Sequence, residues 1–142
     1  MTGVQTCALP ILNDIAVLRV EGLTARPLRL ADAVEGTPGG LLGYPGNGPY
    51  TETPVRVGRV ARIVGRDAYG DFPTSRRVVT IRGPIRSGNS GGPVVDARGR
   101  VITTVFGHRA GSDGGYGAPV GAIRAAIARV GPQALATSCV ER

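Results

Sequence analysis

The sequence predicts an all-β domain closed by a single C-terminal helix. Three observations carry that expectation. The 142 residues include 23 Gly and 11 Pro, near a quarter of the chain, dispersed as they would be between short strands and tight turns. Several short segments are apolar throughout or apolar at every second residue, the patterns of buried and half-buried strands. From Val120 the period changes, because Val120, Ile123, Ile127 and Val130 are spaced 3, 4 and 3 apart, along one face of a helix. The length suits one domain with its own core, and 42 % hydrophobic residues exclude compositional disorder. No solenoid or collagen-like repeat is present.

Taken in order, Met1 to Ile11 has no clean strand or helix period, and residues 1–12 are expected to be a tract foreign to the domain. Ile15, Ala16, Val17, Leu18 and Val20 form an apolar run, the pattern of a strand buried on both faces within a segment spanning 13–22. Residues 23–40 hold Pro27, Pro38 and the Gly39-Gly40 pair and are expected to be a surface linker. Leu41 to Tyr44 is a short strand ended by the turn cluster Pro45 to Pro49. Thr51 to Val64 is strand-like, with Val55 and Val57 alternating against Arg56, and its phase blurs after Gly58 as at a bulge. Arg77 to Arg82 is another strand. Pro93 to Asp96 and Arg100 to Phe106 make a hairpin around Ala97-Arg98-Gly99. Gly111 to Gly115 is a flexible loop and Tyr116 to Val120 a last strand. These later strands are thus placed within 41–119. The helix is placed over 120–131, with Arg129 in its last turn and Gly131-Pro132 as the stop, and 132–142 is a tail.

The formal net charge is +7, and all 17 basic residues are Arg. They are scattered, only Arg76 and Arg77 being adjacent, and aromatic residues make up 4 %. A single-strand nucleic-acid binder sets stacking aromatics beside its cations, so no nucleic-acid partner is expected. No apolar stretch approaches the roughly 20 residues of a membrane helix, and the N-terminus lacks a basic n-region and long apolar h-region. The two cysteines, Cys7 and Cys139, stand near opposite ends; they could close a disulfide or be unrelated. No cofactor or metal is expected.

The informative motif is Gly88-Asn89-Ser90-Gly91-Gly92-Pro93. A serine hydroxyl is a weak nucleophile unless a base takes its proton and backbone N–H groups receive the oxyanion. Glycines close to the serine let the backbone turn tightly enough to aim those N–H groups. Six such residues between two strand-like segments are far more specific than a lone G-x-S-x-G.

This hexapeptide resembles the nucleophile loop of chymotrypsin-like (trypsin-like) serine proteases. Asn13-Asp14-Ile15-Ala16-Val17-Leu18 resembles the segment of that family carrying the triad aspartate, and Ser90 follows Asp14 by 76 residues, in the family's order. By itself Asp14 reads as a turn aspartate opening a strand. The resemblance runs from Asn13 to about Val130 and takes in Gly117-Ala118-Pro119 before the terminal helix. It implies an antiparallel β-barrel fold: the second barrel of the family, the last strand of the first, and a C-terminal helix, truncated at the N-terminus. It implies serine endopeptidase chemistry on a polypeptide substrate, with Ser90 as nucleophile, Asp14 orienting a histidine, and the N–H groups of Gly88 and Ser90 as the oxyanion hole. Pro84 would stand at the floor of the specificity pocket and Val105, Phe106 and Gly107 along the substrate channel. Ile81 to Arg86 contains no acid, so an apolar preference before the scissile bond is expected. Asn89 stands where trimming-activated relatives carry an aspartate that pairs with a new α-ammonium, and an amide cannot form that pair.

The family's histidine belongs upstream of Asp14 in a T-A-x-H segment, which these 142 residues do not contain. The sole histidine, His108, follows Ser90 and is expected at the rim, not as a relocated base. The expectation is a protease fragment that is inactive as it stands, with a non-catalytic, protease-like peptide-binding module as the alternative. The ending Ser138-Cys139 resembles that of actinobacterial membrane-anchored, extracytoplasmic serine proteases linked to acid and oxidative stress resistance. That likeness implies an anchored, extracytoplasmic parent. It also implies a native partner for Cys139 other than Cys7.

Overall fold

The computed structural model describes residues 4–8, 13–66 and 73–130. Cys139, residues 131–142 and hence the expected Cys7–Cys139 relation lie outside them. Two antiparallel sheets result. The smaller pairs β1 (Val4–Ala8) with β2 (Val17–Val20), in a register running from Val4 opposite Val20 to Ala8 opposite Val17. The larger is a closed barrel of β3 (Pro38–Gly43), β4 (Thr51–Arg66), β5 (Pro73–Arg82), β6 (Pro93–Val95), β7 (Val101–His108) and β8 (Gly115–Pro119). Around the barrel the strands follow the order β3-β4-β5-β8-β7-β6, and β3 and β6 close it through Gly40 opposite Val95 and Leu41 opposite Val94. The helix α1 (Val120–Ala128) follows directly from β8.

Alternation explains the barrel. Val55 and Val57 on β4, and Val79 and Ile81 on β5, turn inward beside Leu41, Val94, Ile102 and Val105 to form one core cluster. Leu41 and Val94 have no exposed surface, and burying each contributes on the order of 2 kcal/mol. The blurred phase after Gly58 is a β-bulge: the β4–β5 register shifts between Val57 and Val60. A Cβ on Gly58 would run into the Thr80 side chain, whose Oγ1 donates to the Arg59 carbonyl at 3.0 Å.

Several elements differ from expectation. A strand forms over Val4–Ala8, where no period signalled one, because β2 offers it a paired backbone edge. β2 is not buried on both faces: Leu18 is 54 % exposed, since β2 belongs to a two-stranded sheet. β3 starts at Pro38, inside the expected linker. There the side-chain-free Gly39 approaches β6 so closely that a Cβ would lie 2.7 Å from the Val95 carbonyl oxygen. β5 begins four residues earlier than expected, at Pro73, and α1 ends at Ala128 with Arg129 as its C-cap. The apolar stripe of α1 is not wholly buried either. Val120 is, but Ile127 is 51 % exposed. The helix is also tied to the linker, where Arg124 Nη1 donates to Asp32 Oδ1 at 2.8 Å.

Candidate active site

The loop between β5 and β6 is built around Asn89, which is 1 % exposed. Its Oδ1 accepts from the Arg86 N–H at 2.9 Å, and its own N–H donates to the Arg86 carbonyl at 3.1 Å, so one residue clamps the turn from both sides. Its Nδ2 is buried with no partner among the described residues. It packs so tightly on β3 that a Cβ on Gly43 would lie 2.9 Å from it. Gly88 has φ +89°, and a side chain there would strike the Tyr44 carbonyl oxygen. The loop is tied on one side by Gly46 N–H to the Ser87 carbonyl at 2.7 Å. On the other, Gly91 N–H donates to the Val105 carbonyl at 2.7 Å and Val105 N–H to the Gly92 carbonyl at 2.9 Å.

Ser90 sits exposed on the knuckle between these anchors. The amides alternate around it. Those of Asn89, Gly91 and Gly92 are bonded within the protein, whereas those of Gly88 and Ser90 donate to no acceptor among the described residues. Two unspent donors flanking an exposed hydroxyl can receive a developing negative charge.

Asp14 stands just before β2 with φ +55°, a left-handed conformation in which short polar side chains are the commonest non-glycine residues. Its carboxylate is 46 % exposed and lies 3.9 Å from Arg76 Nη1, an ion pair beyond hydrogen-bond length. The Arg76 guanidinium in turn lies 4.3 Å over the Phe106 ring.

Asp14 and Ser90 line the same cavity, of about 370 Å³, whose other walls include Thr104, Val105, Phe106 and the α1 residues Ile123 and Ile127. Of the residues singled out in the sequence, Asp14, Ser90, Val105 and Phe106 therefore meet in one place. Val105 faces the barrel core at 2 % exposure. Pro84, Gly88 and Gly107 are not among the cavity's lining residues. His108 is exposed at the end of β7. The cavity residues Thr104, Ile123 and Ile127, and Arg76 beside Asp14, were not anticipated: the helical stripe marked the two isoleucines as apolar but not as cavity wall, and nothing local marks Arg76, which lines a different cavity. A larger cavity of about 540 Å³, between β4, β5, the linker and the start of α1, takes in neither Ser90 nor Asp14. Among the described residues no cluster of His, Cys, Asp and Glu could hold a metal ion, and no helix is long and apolar enough to cross a membrane.

Comparison with known proteins gives a consistent picture. Residues 3–103 match the family model of the trypsin-like peptidase domain. Over 122 residues the chain is 38 % identical to the serine protease Rv3671c of Mycobacterium tuberculosis H37Rv, and equally to MT3772 of strain CDC 1551. The match covers 83 % of this chain but 31 % of each relative, so the chain spans less than a third of their length. It superposes on the crystal structure of the active form of the Rv3671c protease with a TM-score of 0.87 at 34 % identity, over 95 % of this chain and 62 % of that one. An HtrA-type protease, AlgW with a decapeptide, shares the fold with a TM-score of 0.70 at 24 % identity, over 90 % of this chain and 40 % of that one.

Proposed function

The chain belongs to the trypsin-like peptidase domain family, and from that premise we propose that it carries the nucleophile half of a serine endopeptidase site. Ser90 Oγ attacks the scissile carbonyl, the N–H groups of Gly88 and Ser90 receive the oxyanion, and Asp14 orients a histidine and stabilises its imidazolium. The observation that carries the proposal is that Asp14 and Ser90, remote in sequence, line one cavity. The two unspent amides around Ser90 support it further.

The general base is not His108, which is exposed at the end of β7. It is a histidine from the part of the relatives' length that these 142 residues do not span, and without it the chain is inactive. The polypeptide substrate lies along β7 at Val105 to Gly107. The residue before the scissile bond is apolar, its pocket bordered by Pro84 and free of acid from Ile81 to Arg86. The parent protein works outside the cytoplasm, held at the membrane by segments beyond this chain.

The test joins residues 13–142 to the upstream barrel and assays peptides that differ only at the residue before the cut. Hydrolysis is expected to favour Leu or Phe over Arg, and to fall by about 10⁴-fold or more in Ser90→Ala. Peptide binding without hydrolysis in a correctly folded fusion would assign the chain to the non-catalytic peptide-binding module instead. An Arg preference would show the pocket at Pro84 to be something other than apolar.

A further inference from the structure

Arg76 is a charged side chain at the edge of the site that the proposed chemistry leaves unused: it touches two walls of the Ser90 cavity, Asp14 and Phe106, while itself lining the larger neighbouring cavity. Its side chain is only 17 % exposed. It faces two groups: the Phe106 ring, 4.3 Å from Cζ to centroid, and the Asp14 carboxylate at 3.9 Å. Among the described residues none accepts a hydrogen bond from its guanidinium. At 17 % exposure and lining a cavity, the guanidinium keeps contact with water, and its donors, without a bonded acceptor among the described residues, are available to a ligand. Asp14 does not take them up. An ion pair at this separation with a half-exposed carboxylate is worth little, and in the proposed mechanism that carboxylate is engaged by the imidazole.

Phe106 stacks on Tyr116 with centroids 6.4 Å apart and planes at 21°, and Arg109 lies 5.8 Å over the far ring. The result is a row of cation, ring, ring and cation beside the Ser90 cavity, of which Phe106 is a wall. The neighbouring backbone is open. β6 pairs with β7 only at Val101, Thr103 and Thr104, and Gly91 and Gly92 occupy Val105, so β7 beyond Val105 keeps one edge without a paired strand. An extended polypeptide added there advances about 3.3 Å per residue, which carries its side chains from Ser90 past Phe106 within a few residues.

We propose that Arg76, set over the Phe106 ring beside Asp14, is a specificity-determining residue. It binds the carboxylate of an Asp or Glu lying a few residues before the scissile bond, so the polypeptides this site takes are acidic on that side. The inference rests on the peptidase reading of the Ser90 cavity. A planar guanidinium suits the role, since it offers a carboxylate two parallel N–H donors while one face stays against the ring.

The experiment measures binding of two fluorescent hexapeptides to the 142-residue chain carrying Ser90→Ala. The peptides are identical but for Glu or Gln before a common Leu. The Glu peptide is expected to bind about tenfold more tightly at low salt, with the gap narrowing as ionic strength rises. Arg76→Gln should erase the gap, and Arg76→Lys should restore part of it, since an ammonium keeps the charge but not the fork. Equal binding of the two peptides by the chain with Arg76 intact, or a Glu preference that survives in folded Arg76→Gln, overturns the inference while leaving the peptidase reading intact. Failure of both peptides to bind overturns the peptide-cavity reading, and the inference with it. Should Arg76→Gln not fold, the Glu/Gln comparison and Arg76→Lys still decide.

Discussion

Gly88 and Asn89 divide the shaping of the nucleophile loop between them. Asn89 spends its Oδ1 on the Arg86 amide and leaves Nδ2 buried without a partner among the described residues, so it trades a satisfied donor for a fixed turn. Gly88 supplies a backbone conformation that an L side chain rarely adopts, against a carbonyl that leaves no room for a Cβ. Gly88→Ala is therefore expected to displace the Gly88 amide from the oxyanion position proposed for it. In the fusion set out under the proposed function, kcat should fall by about 10²–10³-fold, the usual loss for one oxyanion donor, with a smaller change in KM. Unchanged kcat would remove Gly88 from the oxyanion role. The Gly-Asn-Ser-Gly-Gly-Pro signature made the shape of this loop legible, because Gly88, Asn89 and Gly92 each answer a local steric or bonding demand. Arg76 was illegible for the opposite reason. Its partners, Asp14 and Phe106, are remote in sequence, and a cation held over a distant ring leaves no local pattern.

Among the elements, the β6–β7 hairpin has the clearest electrostatic design. Asp96 Oδ1 accepts from the Arg98 and Arg100 amides at 2.9 Å each, and its Oδ2 takes the Arg100 guanidinium at 2.7 Å. The Arg100 side-chain bond, followed by its backbone bond, holds the Asp96 carboxyl below its ordinary value of 3.8. A carboxylate whose folded value is depressed contributes stability that is fully present above its unfolded value and is lost as pH falls through the folded one. The chain should therefore lose stability on acidification below about pH 4, and Asp96→Asn should weaken that dependence, as followed by urea melts across pH 2.5–6. A pH slope identical in the variant would show that the turn carboxylate carries none of it. The strands flanking this turn were readable from alternation, and the bulge at Gly58 from the break in it. β1 was not, since a strand that forms against a partner's open edge needs no amphipathic period of its own. The apolar stripe of α1 was read for type but not for destination. A period of 3.6 says which residues share a face, not whether that face meets a core or a cavity.

At the scale of the molecule, one core cluster inside the barrel carries the fold, and Leu41 occupies its closing seam with no exposed surface. Leu41→Ala is expected to cost about 2–5 kcal/mol, read as a lower urea midpoint at unchanged m. A cost below 1 kcal/mol would mean that the seam repacks around the gap, about the limit of a well-tolerated core exchange. The seam has a further consequence, which concerns time. Every other neighbouring pair of barrel strands is joined through a longer ladder, whereas β3 meets β6 through only two register pairs, across a loop of more than fifty residues. Closing so long a loop costs entropy before any contact repays it, so such pairings form late in folding and open early. Native-state hydrogen exchange should find the Gly40 and Val95 amides exchanging ahead of those along β4 and β5, through an opening smaller than global unfolding. The barrel then behaves as a strip of strands fastened by one short clasp, whose release exposes the back of the sheet that holds the Ser90 loop.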